Sequence, residues 1–229
     1  KESKNKLFLG FEGNTKNIKV TGTSKGKEIP LRLTKFPDKE KDTIQIFLPQ
    51  GIKDSVQIAV QNGAYSKEFT TRLKDLKASD SLKITNKTGN VLSFRNAFKL
   101  STKTPLNTID ESKIALRKKD SSLVKYTLSY DDFNQEILFD FKKDEDEKYV
   151  MELLPGAIKD FYDQENDTLN FKSTTRLLSD YGNLRVNVSG AKRFPLILEV
   201  LDDKGTVLYS KSSTSETSFV FETIEPKIY

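Results

Sequence analysis

Five oxygen-bearing side chains crowd one short stretch: Asp160, Asp163, Glu165, Asn166 and Asp167. Hard oxygen ligands at such spacing are what Ca²⁺ takes. The spacing is not that of an EF-hand loop, and no Gly stands where such a loop turns back sharply. A polar connection between two strands is the expected role of this stretch. Asp160, Asp163 and Asp167 are the calcium candidates, while the reading adopted is no metal and no cofactor. Adjacent carboxylates at Asp131-Asp132 and Asp202-Asp203 suggest glycosidase chemistry, which needs two acids flanking a bond. Both pairs sit at turn signals, where Asp is favoured for its hydrogen bonds to nearby backbone, and the chain has no Trp with which to build sugar subsites. With no Cys and no His, thiol nucleophiles, disulfides, His bases and the commonest zinc ligands are removed together. No Gly-x-Ser-x-Gly elbow and no Gly-rich phosphate loop is present. No catalytic residue is assigned, and the chain reads as non-enzymatic.

One tripeptide recurs. Asp42-Thr43-Ile44, Asp54-Ser55-Val56, Asp80-Ser81-Leu82 and Asp167-Thr168-Leu169 all read acid, hydroxyl, aliphatic. Asp and Ser/Thr commonly punctuate the starts of strands, and each of these precedes an expected strand. Exposed hydroxyls at such positions are also accessible to modification.

The elements that must carry these residues have a period of two. Apolar residues alternate in runs of five to eight, separated by Gly, Asn, Asp, Lys and Pro clusters, which is the pattern of half-buried strands. Leu7, Leu9 and Phe11 share a face; so do Ile18 and Val20, then Ile29, Leu31 and Leu33, then Ile44, Ile46 and Leu48, then Val56, Ile58 and Val60, then Phe69, Thr71 and Leu73. Turn signals separate them: Gly13-Asn14, Ser24-Lys25-Gly26, Pro37-Asp38, Pro49-Gln50-Gly51 and Asn62-Gly63, the last being the favoured type I′ pair. Apolar spacing of three and four is nowhere sustained, so no substantial helix is expected. The expected fold class is all-β, tandem sandwiches with short hairpin connections.

At 229 residues, with 35% hydrophobic and 31% charged residues, several small sandwiches with thin cores suit the chain better than one large core. The 38 basic and 33 acidic residues are interleaved, so nucleic acid is not an expected partner. The charged stretch from Lys74 to Asp80 marks a first boundary, and the pattern resets after Thr174-Thr175. The expected modules are 1–77, 78–176 and 177–229, with few contacts crossing the first boundary. The run from Lys142 to Lys148 is expected at a hairpin tip. No stretch is apolar enough to span a membrane as a helix. Both ends read as boundaries of a fragment, and the third module, with four strands, as incomplete.

The segment Tyr149-Val150-Met151-Glu152-Leu153-Leu154-Pro155-Gly156-Ala157-Ile158-Lys159-Asp160, followed by Asn166-Asp167-Thr168-Leu169, resembles the bacterial immunoglobulin-like domain. Upstream, Thr104-Pro105-Leu106-Asn107-Thr108-Ile109-Asp110 and Lys113-Ile114-Ala115-Leu116 are similar to another strand of that domain, so the resemblance covers most of residues 80–176. Tyr181-Gly182-Asn183-Leu184, Pro195 to Leu201 and Phe219 to Tyr229 resemble a transthyretin-like or carboxypeptidase-regulatory-like sandwich. This order of modules is similar to large lipoproteins of the Bacteroidota envelope. The resemblance implies tandem immunoglobulin-like β-sandwiches, location at the cell envelope and outer membrane, and attachment through a lipid anchor outside this fragment. It implies other envelope or outer-membrane proteins as partners and a scaffold or accessory role in an envelope complex; the alternative is a surface adhesin or glycan-binding module. The recurring tripeptide looks like the O-glycosylation sequon of Bacteroidota, which makes Thr43, Ser55, Ser81 and Thr168 the candidate acceptors.

Overall fold

Wherever apolar side chains alternate, the backbone is extended, and the computed structural model, which describes residues 5–12, 17–37, 42–73 and 80–229, contains twenty strands. The helical turns among these residues are two three-residue 3₁₀ turns, Glu111–Lys113 and Leu178–Asp180. The expected Gly13-Asn14 turn, Asp38 and most of the Lys74 to Asp80 bridge lie outside the described residues.

The first stretch holds β1 (Lys6–Gly10), β2 (Lys19–Ser24), β3 (Lys27–Ile29), β4 (Arg32–Lys35), β5 (Thr43–Phe47), β6 (Ser55–Asn62) and β7 (Tyr65–Arg72). They form two sheets, β1-β5-β4 and β3-β2-β6-β7. Ile44, Ile46, Leu48, Val56, Ile58 and Val60 are buried in their core. The single strand expected through Ile29, Leu31 and Leu33 is split. Pro30 has no N–H to give to a ladder; β3 pairs with β2 and β4 with β5, so the chain changes sheet there. The β6–β7 turn also falls one residue later than expected. Asn62 pairs with Tyr65, leaving Gly63-Ala64 at the centre, with φ +59° at Gly63 alone, the type II′ pattern. Type I′ occurs instead at Lys25-Gly26, with φ +52° and +73° between the paired Ser24 and Lys27.

The second stretch holds β8 (Ile84–Asn86), β9 (Phe98–Thr102), β10 (Leu106–Ile109), β11 (Ile114–Arg117), β12 (Thr127–Asp131), β13 (Glu136–Asp140), β14 (Lys148–Leu153), β15 (Ile158–Asp160) and β16 (Leu169–Thr174). Its sheets are β12-β13-β9-β8 and β11-β14-β16, with β10-β15 as an additional pair. If β8, β9, β11, β12, β13, β14 and β16 are lettered A to G, the two sheets read ABED and CFG. That is the strand order of an immunoglobulin constant-type sandwich. Tyr149, near the start of F, is fully buried, and its Oη accepts a hydrogen bond from the Asp144 N–H at 2.7 Å. A tyrosine hydroxyl tied back to the E–F corner is a hallmark of such sandwiches. Two residues on, buried Met151 occupies the place of the second inter-sheet cysteine of antibody domains.

The run from Lys142 to Lys148 is no hairpin tip. Because β13 and β14 belong to opposite sheets, it is the E–F crossover. Its carboxylates serve backbone N–H groups there: Glu145 accepts from Leu178 at 2.8 Å and Glu147 from Lys119 at 3.0 Å. Burial against Phe141 holds the Lys143 ammonium below the ordinary lysine range.

The third stretch holds β17 (Gly182–Asn187), β18 (Leu196–Leu201), β19 (Val207–Ser213) and β20 (Ser218–Ile224). They pair as β17-β20 and β18-β19 over a small core of Val200, Phe219, Phe221 and Ile224. Each sheet of the protein draws its strands from one of the three stretches only.

Candidate functional site

Asp160 ends β15 on the same face as buried Ile158, because residues two apart in a strand point the same way. It is fully buried. Its Oδ1 accepts the N–H groups of Tyr162 and Gln164, each at 2.9 Å, and its Oδ2 accepts the hydroxyl of buried Thr104 at 2.7 Å. One carboxylate oxygen therefore shapes the F–G connection and the other ties it to the B–C connection. Asn166 does similar work, accepting from the Ile158 N–H and donating to the carbonyls of Leu154 and Asp167. The other calcium candidates are not brought to Asp160: Asp163 and Asp167 are exposed, and Glu165 pairs with Lys159 at 3.0 Å. Among the described residues no three Asp, Glu or other metal-ligating side chains are placed to share an ion.

The Asp pairs also shape turns. Asp131 accepts from the Asn134 side chain at 2.8 Å and from its N–H at 3.0 Å, and these bonds hold its carboxyl below the usual range. Asp202 is lowered likewise by the N–H groups of Thr206 and Lys204. Of the hydroxyls in the recurring tripeptide, Ser55, Ser81 and Thr168 are exposed and Thr43 is half-buried. Ser55 opens β6, Thr43 opens β5 and Thr168 immediately precedes β16, whereas Ser81 lies three residues ahead of β8.

What the Asp131 turn positions is Phe133 at its tip. Phe133 packs against the core of the first sandwich, and its carbonyl accepts the Lys35 N–H at 2.7 Å. Two more connections of the second sandwich reach the same place. From F–G, Tyr162 lies 6.5 Å from the buried Phe47 ring, its hydroxyl donates to the Asn5 carbonyl at 3.4 Å, and Phe161 lies under Arg32. From B–C, Lys103 meets Asp80 at 2.8 Å. Asp80 also meets Lys6 at 2.7 Å, and both side chains of that pair are nearly inaccessible. Burial, with the charges of Asp80 and Asp160 nearby, pushes the Tyr162 phenol well above its ordinary value. The sequence predicts few contacts across this boundary; the structure places a buried ion pair and three aromatic residues there. They come from turn tips, whose partners lie far away in the chain.

A second feature lies at the open side of the first sandwich. Edge strands β1 and β7 border a cleft of about 420 Å³, lined by Leu9, Phe11, Ile18, Val60, Tyr65 and Phe69, with Glu12 and Asn62 at its polar margin. Tyr65 and Phe69 share the core-facing side of β7 but are exposed, because the facing sheet has one strand fewer. The sequence pattern puts Phe69 on one face with Thr71 and Leu73, and its spacing from Tyr65 signals that Tyr65 shares that face.

Strand order and core thus define the class: the chain is an all-β tandem of immunoglobulin-like sandwiches. No family model matches the sequence, and no curated protein does. Among solved structures, the chain is similar to the mixed-linkage glucan utilization locus protein SGBP-B of Bacteroides ovatus, in complex with a mixed-linkage heptasaccharide. The identity is 12% over 96% of this chain and 63% of that one, with TM-score 0.32. It is similar to titin A168–A169 at 15% identity over 76% and 90%, with TM-score 0.27. It is similar also to extracellular domains 3–5 of Drosophila OTK at 11% identity over 97% and 84%, with TM-score 0.24.

Proposed function

We propose that the chain is a non-enzymatic structural and interaction part of an outer-membrane-associated envelope lipoprotein, acting as a scaffold or accessory subunit of an envelope complex. Its modules are 1–77, 78–176 and 177–229, and its partners are other envelope or outer-membrane proteins. The observation that carries this reading is the joint between the first and second sandwiches. A scaffold must hold its surfaces at a fixed spacing, and domains joined only by a linker move independently. Here the half-buried Phe133 packs against the neighbouring core and a nearly inaccessible ion pair spans the boundary. Crosslinking of the full-length protein in membranes should recover another envelope protein. Phe133→Ser, which loosens the joint while leaving both cores intact, should reduce that recovery several-fold. Equal recovery by a folded Phe133→Ser protein would sink the scaffold reading.

The aromatic cleft favours a second reading, glycan binding. Tyr65 and Phe69 stand roughly 13 Å apart along the strand at about 3.3 Å per residue, and exposed rings beside polar side chains suit the alternating apolar and hydroxylated faces of a sugar chain. Titration with neutral oligosaccharides should perturb the Tyr65 ring resonances, and Tyr65→Ala should weaken binding about tenfold or more. Unchanged spectra at millimolar sugar would dispose of this reading.

A further inference from the structure

The second and third sandwiches meet around a cleft of about 530 Å³. Lys87 and Lys99 from the second sandwich, Arg176 at its end and Lys227 from the third stretch line it, together with a single carboxylate, Glu225. Four cations and one acid thus line it. Lys227 pairs with Glu225 at 3.6 Å, and Lys99 turns to Glu136 at 3.3 Å. Among the described residues, no carboxylate lies within ion-pair distance of Lys87 or Arg176. Cations gathered in a cleft repel one another and are relieved by an anion.

A second, independent observation concerns Tyr181. Tyr181 lines this cleft, its ring meets Phe94 edge-on at 5.3 Å, and its Oη is buried without a protein hydrogen-bond partner among the described residues. A buried hydroxyl left unpaired costs free energy, so such a group marks a place where an acceptor belongs. Burial raises the Tyr181 phenol above its ordinary value, which keeps the hydroxyl protonated and able to donate.

We propose that this cleft is an oxoanion site, taking a carboxylate, sulfate or phosphate group of a small ligand against Arg176 and Lys87, with the Tyr181 hydroxyl donating to one of its oxygens. A guanidinium offers such a group two parallel N–H donors. Because Lys87 lies on the second sandwich while Tyr181 and Lys227 belong to the third stretch, the bound anion bridges the two and stiffens their junction. The site is separate from the joint that carries the scaffold reading.

The test is an NMR titration of the full chain with sodium glucuronate, with inorganic sulfate and with inorganic phosphate, each matched by sodium chloride at equal ionic strength. Saturable shifts confined to the amides of residues 87–99, 176–181 and 225–227 are expected. Arg176→Ala should weaken binding about tenfold or more, since it removes a charge-assisted contact. Tyr181→Phe, which keeps the ring against Phe94, should also weaken it. Lys148→Ala, on a different face, should change nothing. Tighter binding of glucuronate than of the inorganic ions points to an acidic sugar, and the reverse to a sulfate- or phosphate-bearing ligand; both support the site. Shifts spread over exposed lysines generally, equal shifts with chloride, or wild-type binding by folded Arg176→Ala and Tyr181→Phe would overturn it.

Discussion

Asp80→Ala should destabilise the paired first and second sandwiches by about 3–5 kcal/mol, the cost usual for leaving one member of a buried ion pair without its partner. Lys6 is the member left behind. Its side chain is 6% exposed, and among the described residues the Phe47 and Phe8 rings, at 5.2 and 5.7 Å, remain to compensate its charge. Lys103 is half exposed and regains water. Removing the stranded charge as well, in Asp80→Ala/Lys6→Met, should restore a large part of the loss, since an apolar pair of similar volume often replaces a buried ion pair at little cost. Urea unfolding followed through the Tyr162 region measures both. A loss under about 1 kcal/mol for the single variant, the size expected of a hydrated surface pair, would show that water reaches the joint.

Asp160→Ala should cost a similar amount, about 3–5 kcal/mol, because three donors lose a charged acceptor at one buried point. Asp160→Asn should cost about half of that: one oxygen still serves the two backbone N–H groups, while the new amide faces the Thr104 hydroxyl, which must turn from donor to acceptor. Amide exchange at Tyr162 and Gln164 should quicken in both variants. Added Ca²⁺ should leave the wild-type midpoint where it is; a ligand specific for the folded state at 100 times its Kd would add about 2.7 kcal/mol. A gain of that size, lost in Asp160→Asn, would return the F–G connection to metal binding.

Local alternation made most strands legible, since Leu7-Leu9, Val56-Ile58-Val60 and Tyr149-Met151-Leu153 each advertise a buried face within a few residues. Alternation does not mark β10 and β15, of four and three residues, which pair with each other across the end of the sandwich. The E–F crossover was misread for a related reason. A charged turn between two strands looks the same locally whether those strands pair or part to opposite sheets. Asp160 was legible as an oxygen-bearing residue of a polar connection, and its place two residues after Ile158 implies burial; which N–H groups it serves was not legible, because that depends on how the tight turn folds. The joint was hidden because its contacts are distant in sequence. Phe133, an aromatic between Asp132 and Asn134, and Phe161-Tyr162 in an acidic stretch were the clues, since a turn has no local reason to carry a large ring.

The end of the second sandwich that gathers the B–C, D–E and F–G connections is covered by the first sandwich, and each connection places a residue there: Lys103, Phe133 and Tyr162. Loops elsewhere tolerate changes of length because nothing rests on them. Here a single inserted residue, adding up to about 3.5 Å of chain, would be passed on as a change in the direction in which the entire first sandwich points. These three connections are therefore not free to drift separately. The sandwich flanks, by contrast, can change without redirecting the first sandwich.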